Sequence, residues 1–195
     1  YTAPVFSFTH GTQHEIMVPC NMLGAGDRVL LIDCDLRKPG IYSIMDREKC
    51  PGVSELMRNT AMTEDVIHTV KPGALDVIFA GENCSGMLDF LGTELFGRHM
   101  DVLREKYDYI VLDTPPCSIL SDAEELADIV DGALMVIRQN YASRASIVEG
   151  LQRIAESGVP VMGYVLNVYT SSSGDGYGYG YRSGYRYGYG RGYRY

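Results

Sequence analysis

Two apolar runs in this chain end on aspartate: VLLIDCDLRKPG carries Asp33 and Asp35, and YDYIVLDTPP carries Asp113. Residues two apart at the end of a strand project to the same side, so Asp33 and Asp35 can face one space. In open parallel sheets ligands bind beyond the carboxyl ends of the strands, which is where both motifs fall. Three carboxylates gathered on one edge can hold Mg²⁺ and leave one free to accept a proton. A lone strand-end aspartate more often caps the loop or helix that follows it; the two motifs together favour a site.

The elements that must position these residues are legible as short runs: Val5 to Thr9 (VFSFT), Val29 to Asp33 (VLLID), Leu75 to Phe79 (LDVIF), Tyr109 to Asp113 (YIVLD), Ala133 to Arg138 (ALMVIR) and Val161 to Asn167 (VMGYVLN). They are nearly continuous in apolar character, as strands covered on both faces are. Between them, Ser143 to Ser157 places Ile147, Val148, Leu151, Ile154 and Ala155 on one helical face, with Gly158 as its stop. Ser121 to Val130 opens with Ser and acidic residues, a helix start, and keeps Leu126, Ile129 and Val130 inward. Met87 to Tyr107 has room for one or two helices. The alternation predicts a doubly wound α/β domain, its sheet mostly parallel with helices on both faces, over residues 1–168. From residue 169 to 195 Gly, Ser and Tyr dominate, and such a tail buries too little to fold by itself, so it is expected to be disordered.

At 195 residues, 46% of them hydrophobic, the chain fills one domain plus a tail. The net charge is −8, but the tail, with four arginines and one aspartate, carries +3 and leaves −11 on the body. A body that acidic argues against nucleic acid as the main partner, because phosphate contacts need a basic face. Five cysteines without a CxxC pair read as reduced thiols of a cytoplasmic protein. No apolar run reaches the length of a membrane span and no basic-then-apolar leader is present, so the expected location is the cytosol, or a membrane reached through a partner. The chain opens directly on a strand-like run, which leaves room for an upstream segment.

An apolar strand followed by DxDxR, and a second followed by DTPP, resemble the modified Walker A′ and Walker B motifs of the bacterial tyrosine kinases of capsule and exopolysaccharide synthesis, of the CpsD, CapB and Wzc type. The resemblance runs from about Val5 to Asn167 and includes DVIFAGENCSGMLDFLG. The tyrosine-rich end separates this family from its ParA and MinD relatives. The resemblance implies a P-loop NTPase-like fold, ATP and Mg²⁺ as cofactors, and phosphoryl transfer to tyrosine. It assigns Asp33 to orienting and deprotonating the incoming tyrosine, with Asp35 sharing the catalytic role and, together with Asp113, holding Mg²⁺ mostly through water. Arg37 pairs either with phosphate or with a neighbouring carboxylate. Asn167 falls where the family's adenine pocket lies. Tyr177, Tyr179, Tyr181, Tyr185, Tyr187, Tyr189, Tyr193 and Tyr195 become the phosphoacceptors. Implied partners are a membrane polysaccharide co-polymerase that activates the kinase, a cognate tyrosine phosphatase, and further copies of the chain in a homo-oligomer.

The departure from the family lies in the phosphate loop. VFSFT is followed by HGTQHEIMVPCNMLGAGDR, and no Gly-Lys-Ser/Thr occurs anywhere in the chain. Gly11 and Thr12 alone stay in register with such a loop, and Pro19 would interrupt the helix after it. His10 and His14, four apart without a helical context, read as incidental. This opens a second reading, a phospho-acceptor adaptor of the same fold that does not bind ATP normally. A ParA-like ATPase would need its loop lysines and has no use for the tail. The Tyr and Arg of the tail can also attract one another by cation–π contact, as a sticky segment does.

Overall fold

The computed structural model describes residues 5–9, 26–82, 84, 90–116, 128–138 and 141–167, with residues 5–9 and 167 as backbone only. Seven strands form one sheet: β1 (Val5–Thr9), β2 (Val29–Asp33), β3 (His68–Lys71), β4 (Leu75–Ile78), β5 (Tyr109–Thr114), β6 (Gly132–Arg138) and β7 (Val161–Asn167). Their order is β3-β4-β2-β5-β1-β6-β7, parallel throughout except for β3, which runs antiparallel to β4. The sheet is the doubly wound, mostly parallel one that the apolar runs predict.

Alternate residues of the inner strands enter two cores, one on each face. Leu30 and Ile32 of β2, Ile110 and Leu112 of β5, and Ala133 and Met135 of β6 join one cluster; Val29, Leu31, Val111 and Leu134 join the other. That is why these strands read as unbroken apolar runs rather than as alternating ones. The first core is closed by α2 (Val53–Met57), by α3 (Glu94–Arg104) through Phe96, Met100 and Leu103, and by α4 (Arg144–Ser157) through Ile154. The second holds Ile41 of the short α1 (Ile41–Ile44).

Local chemistry sets the helix ends. Thr93 Oγ1 accepts from the Phe96 N–H at 3.3 Å, and Ser143 Oγ accepts from the Ser146 N–H at 3.1 Å, each satisfying a donor the first turn cannot. Gly158 stops α4 at φ +82°, a backbone that favours glycine. The helix expected over Ser143 to Ser157 therefore starts one residue later, with Ser143 as its cap.

Four elements go beyond the sequence reading. Strand β3, the helices α1 and α2, and a 3₁₀ turn at Thr63–Val66 were not anticipated. The stretch Met87 to Tyr107 holds one helix, α3, among its described residues. The helix expected over Ser121 to Val130 lies outside them up to residue 127; its last residues, Ile129 and Val130, are buried as expected. The tail, 169–195, also lies outside them. Among the described residues Cys34, Cys50 and Cys84 are free thiols. Among the described residues no helix is long and apolar enough to cross a membrane.

Candidate active site

Strands β2 and β5 are neighbours, and their register sets Asp33 directly beside Asp113. Both are almost fully buried, and Asp35, two residues on, is buried with them. The loop that follows β2 folds back around these carboxylates. Asp33 Oδ1 accepts from the Asp35 N–H at 3.2 Å, and its Oδ2 accepts from the Ile41 N–H at 3.3 Å, at the start of α1. Asp35 Oδ1 accepts from the Lys38 N–H at 2.9 Å, and the Cys34 N–H donates to the Asp113 carbonyl at 2.8 Å. Backbone amides thus fix the carboxylates of Asp33 and Asp35.

Crowding of like charge shows in the acidity. Burial, and then the Asp113 charge, push the Asp33 carboxyl up to about 7, against the hydrogen bond from Ile41 that favours its ionised form. Burial and the same three carboxylates push the Cys34 thiol well up. Among the described residues no lysine or arginine is buried to offset them. Hard oxygen donors with an unmet need for positive charge fit Mg²⁺. Among the described residues no three His, Cys, Asp or Glu side chains converge closely enough to hold a metal ion between them, so the three carboxylates do not by themselves form the gathered cage that their strand-end positions suggest.

The other expected residues are placed as follows. Arg37 is exposed just beyond Asp35, and among the described residues it forms no ion pair. Asn167 ends β7 in register with Arg138, at the same carboxyl edge as Asp33 but four strands away, roughly 19 Å by strand spacing. Its side chain, Gly11, Thr12 and the eight tail tyrosines lie outside the described residues.

One group beside the site escaped the sequence reading. Glu55 Oε2 accepts from the Gly52 N–H at 2.8 Å and from the Glu82 N–H at 3.4 Å, while its Oε1 accepts from the Ser54 hydroxyl at 2.8 Å. This ties the start of α2 to the segment leaving β4. The approach is so close that a Cβ on Gly52 would stand 1.9 Å from the Phe79 carbonyl oxygen. Cys84 in that segment feels the charge of both Glu55 and Asp33. The signal available was the Glu three residues after Gly52, a helix-start pattern; the link to Glu82 spans 27 residues and has no local signature.

With this geometry in view, comparison with known proteins is specific. The AAA domain family matches residues 10–157. The tyrosine-protein kinase ptk of Acinetobacter johnsonii is 33% identical over 149 residues, 75% of this chain but 20% of that protein. CapB of Staphylococcus aureus is 30% identical over 157 residues, covering 80% of this chain and 69% of CapB. Among solved structures, the VpsO kinase domain superposes with a TM-score of 0.72 at 29% identity, over 87% of this chain and 86% of that one. The fold is shared more distantly, at 14% identity and a TM-score of 0.67, with a cobyrinic acid a,c-diamide synthase of Mycobacterium smegmatis solved with an ATP analogue and magnesium, over 88% of this chain and 75% of that one. The chain thus spans about a fifth of the length of ptk and two thirds of CapB. The domain match runs through both strands that carry the aspartates, and with the CapB likeness it makes this chain a member of the bacterial tyrosine-kinase family.

Proposed function

We propose that this chain transfers the γ-phosphoryl group of ATP to tyrosine hydroxyls, those of its own tail among them, and that it does so in the control of capsular or exopolysaccharide synthesis. The observation that carries the reading is the buried, in-register pair Asp33 and Asp113 with Asp35 beside it, at the carboxyl edge of the sheet.

A tyrosine hydroxyl, with a pKa near ~10, is a weak nucleophile at neutral pH, so transfer needs a base, a positioned acceptor and relief of phosphate charge. Asp33 is the base: its carboxylate takes the phenolic proton as the tyrosine oxygen bonds to phosphorus and the bond to the leaving diphosphate oxygen breaks. Backbone donors from Asp35 and Ile41 hold it in place without occupying all its lone pairs. Asp35 and Asp113 would hold Mg²⁺, which when bound supplies the positive charge that a triphosphate requires. Arg37, exposed at the mouth, is available to an anion.

Residues 1–168 form the kinase domain in this reading, and 169–195 the disordered acceptor segment. Each phosphate adds roughly −1.5 to −2 charges, so modifying all eight tyrosines moves the tail from +3 to about −9 to −13 and sets it against the acidic body. The protein works at the cytoplasmic face of the membrane with a co-polymerase activator, is reversed by a tyrosine phosphatase, and assembles with its own copies.

The test is titration with a fluorescent ATP analogue, with and without Mg²⁺, beside Asp35→Ala, followed by phosphotransfer in the presence of the activator's cytoplasmic segment. Micromolar, Mg²⁺-dependent binding that is lost in the variant supports the kinase. No binding at millimolar nucleotide even with the activator overturns it in favour of the phospho-acceptor adaptor, a reading favoured by the absence of Gly-Lys-Ser/Thr.

A further inference from the structure

The two edges of the sheet are finished differently. At one, β3 is four residues long, antiparallel, irregular in register and bears His68 and Lys71, features that discourage further pairing. At the other, β7 is seven residues of VMGYVLN, without a charge or a proline. Met162, Tyr164 and Leu166 are 47%, 60% and 50% exposed. Tyr164 and Leu166 lie in register with Met135 and Ile137 of β6, so the two share a face that continues the first core. Among the described residues no strand pairs with the outer side of β7. A long, uncharged, apolar edge of this kind attracts another strand unless something covers it.

The chain itself continues from that strand for 28 residues. After the eight residues 168–175, which include three serines in a row, comes GYGYGY, residues 176–181. Its period of two is that of a strand: Tyr177, Tyr179 and Tyr181 fall on one face and the glycines on the other. Antiparallel neighbours need only a short connection, whereas a parallel one would need a crossover. Charge agrees, since the tail is +3 and the body −11. An existing edge supplies hydrogen-bond partners to an extended segment laid along it.

We propose that residues 176–181 add to β7 of their own chain as an antiparallel eighth strand, with Tyr177, Tyr179 and Tyr181 packed beside Tyr164 and Leu166. The docking stands by itself; its consequence rests on the kinase reading. Tyrosines parked on β7 are withheld from an active site, and phosphorylating one of them releases the strand, because a phosphate cannot lie on an apolar face beside an acidic body. The edge is then both a store for the acceptor and a switch that its modification throws.

Hydrogen exchange on the full-length chain without nucleotide tests this. Peptides covering 161–167 and 176–181 are expected to exchange on the order of 10-fold more slowly than in a chain carrying Gly178→Pro with Tyr179→Pro, adjacent positions of which one must donate toward β7. Tyr164→Lys with Leu166→Lys, which charges the edge, should free 176–181 in the same way. Protection should not change on about a hundredfold dilution, since the contact is intramolecular. Exchange of 176–181 at unstructured rates in the unaltered chain overturns the proposal, and so does protection that survives both variants or fades on dilution, which would mean a second copy. With no nucleotide present, none of these outcomes bears on whether the chain is a kinase.

Discussion

Leu112 of β5 is completely buried and Leu166 of β7 is half exposed, although both are leucines near the carboxyl end of strands in one sheet. Strand β5 lies between β2 and β1 with a core on either face, while β7 has the single neighbour β6. The inner strands bury polar groups as thoroughly as apolar ones: Asp33, Asp113 and Thr114 are all within 3% of complete burial. At the centre, close packing provides both the stability and the dry space that holds the Asp33 carboxyl above its usual range. At the β7 edge the apolar side chains of Met162, Tyr164 and Leu166 are left open by the described residues. If the proposed reading holds, chemistry and stability share strands β2 and β5, and recognition falls to the edge.

The largest effect expected from this contrast is on stability. Leu112→Ala should cost about 2–5 kcal/mol, since it opens a cavity in a region without room to collapse. In a chain ending at residue 168, where no tail strand can lie on β7, Leu166→Ala should cost less than about 1 kcal/mol, because half of that side chain is in water. Urea midpoints of the two variants measure the difference. Equal losses would mean that β7 is sealed by something beyond the described residues, and the contrast between centre and edge would fail.

A second prediction sets function against stability at the centre. In Mg²⁺-free buffer Asp33→Asn should raise stability by ~1–2 kcal/mol at pH 8, less than the pKa rise alone implies, because asparagine presents one acceptor to the two backbone donors of Asp35 and Ile41. A carboxyl raised to about 7 in the folded chain binds its proton more tightly there than when unfolded. The unaltered protein consequently loses stability as pH climbs from about 4 to about 7, and the gain on substitution is absent near pH 4 and complete above about pH 7. Thermal melts across that range decide it. A gain independent of pH would place its origin in packing, and phosphotransfer should be lost in the same variant.

How much of this could be read beforehand follows from the same contrast. Of the strands found as apolar runs, β2, β4, β5 and β6 were legible because the sheet buries their inner ends on both faces, and β7 because its edge carries no charge. Strand β3 was not: HTVK is short and mostly polar, and it becomes a strand by folding back on β4 through the turn at Gly73, which has φ +74°. Helices α1 and α2, at four and five residues, are too short to hold by propensity and are fixed by partners outside the helix, the Ile41 N–H on Asp33 and the Val53 and Ser54 N–H groups on the Phe79 and Ala80 carbonyls. Asp33, Asp35 and Asp113 stood out because strand ends are where a sheet delivers side chains. Their mutual register did not, since 80 residues separate the partners Asp33 and Asp113, and neither did the Glu55 clamp.

The smallest effect concerns how the edge comes apart. Helix α4 links β6 to β7, and its two ends are secured locally, by the Ser143 cap and by Gly158 in the left-handed region. Replacing Ser143 with alanine removes one acceptor from an exposed helix start and should cost about 1 kcal/mol, and Gly158→Ala a similar amount through its backbone. If centre and edge were one cooperative block, either change would accelerate hydrogen exchange in β5 and β7 alike. The packing argues otherwise: Leu112 and Ile110 are sealed between neighbours, whereas β7 is held through β6 and the few α4 side chains that reach the core. Weakening α4 should therefore speed exchange in Val161–Asn167 and leave Tyr109–Thr114 unchanged, the signature of a unit that opens by itself. Equal acceleration in both strands would join the edge to the centre in one unit, and a tail strand docked on β7 would then have to be released without help from local opening.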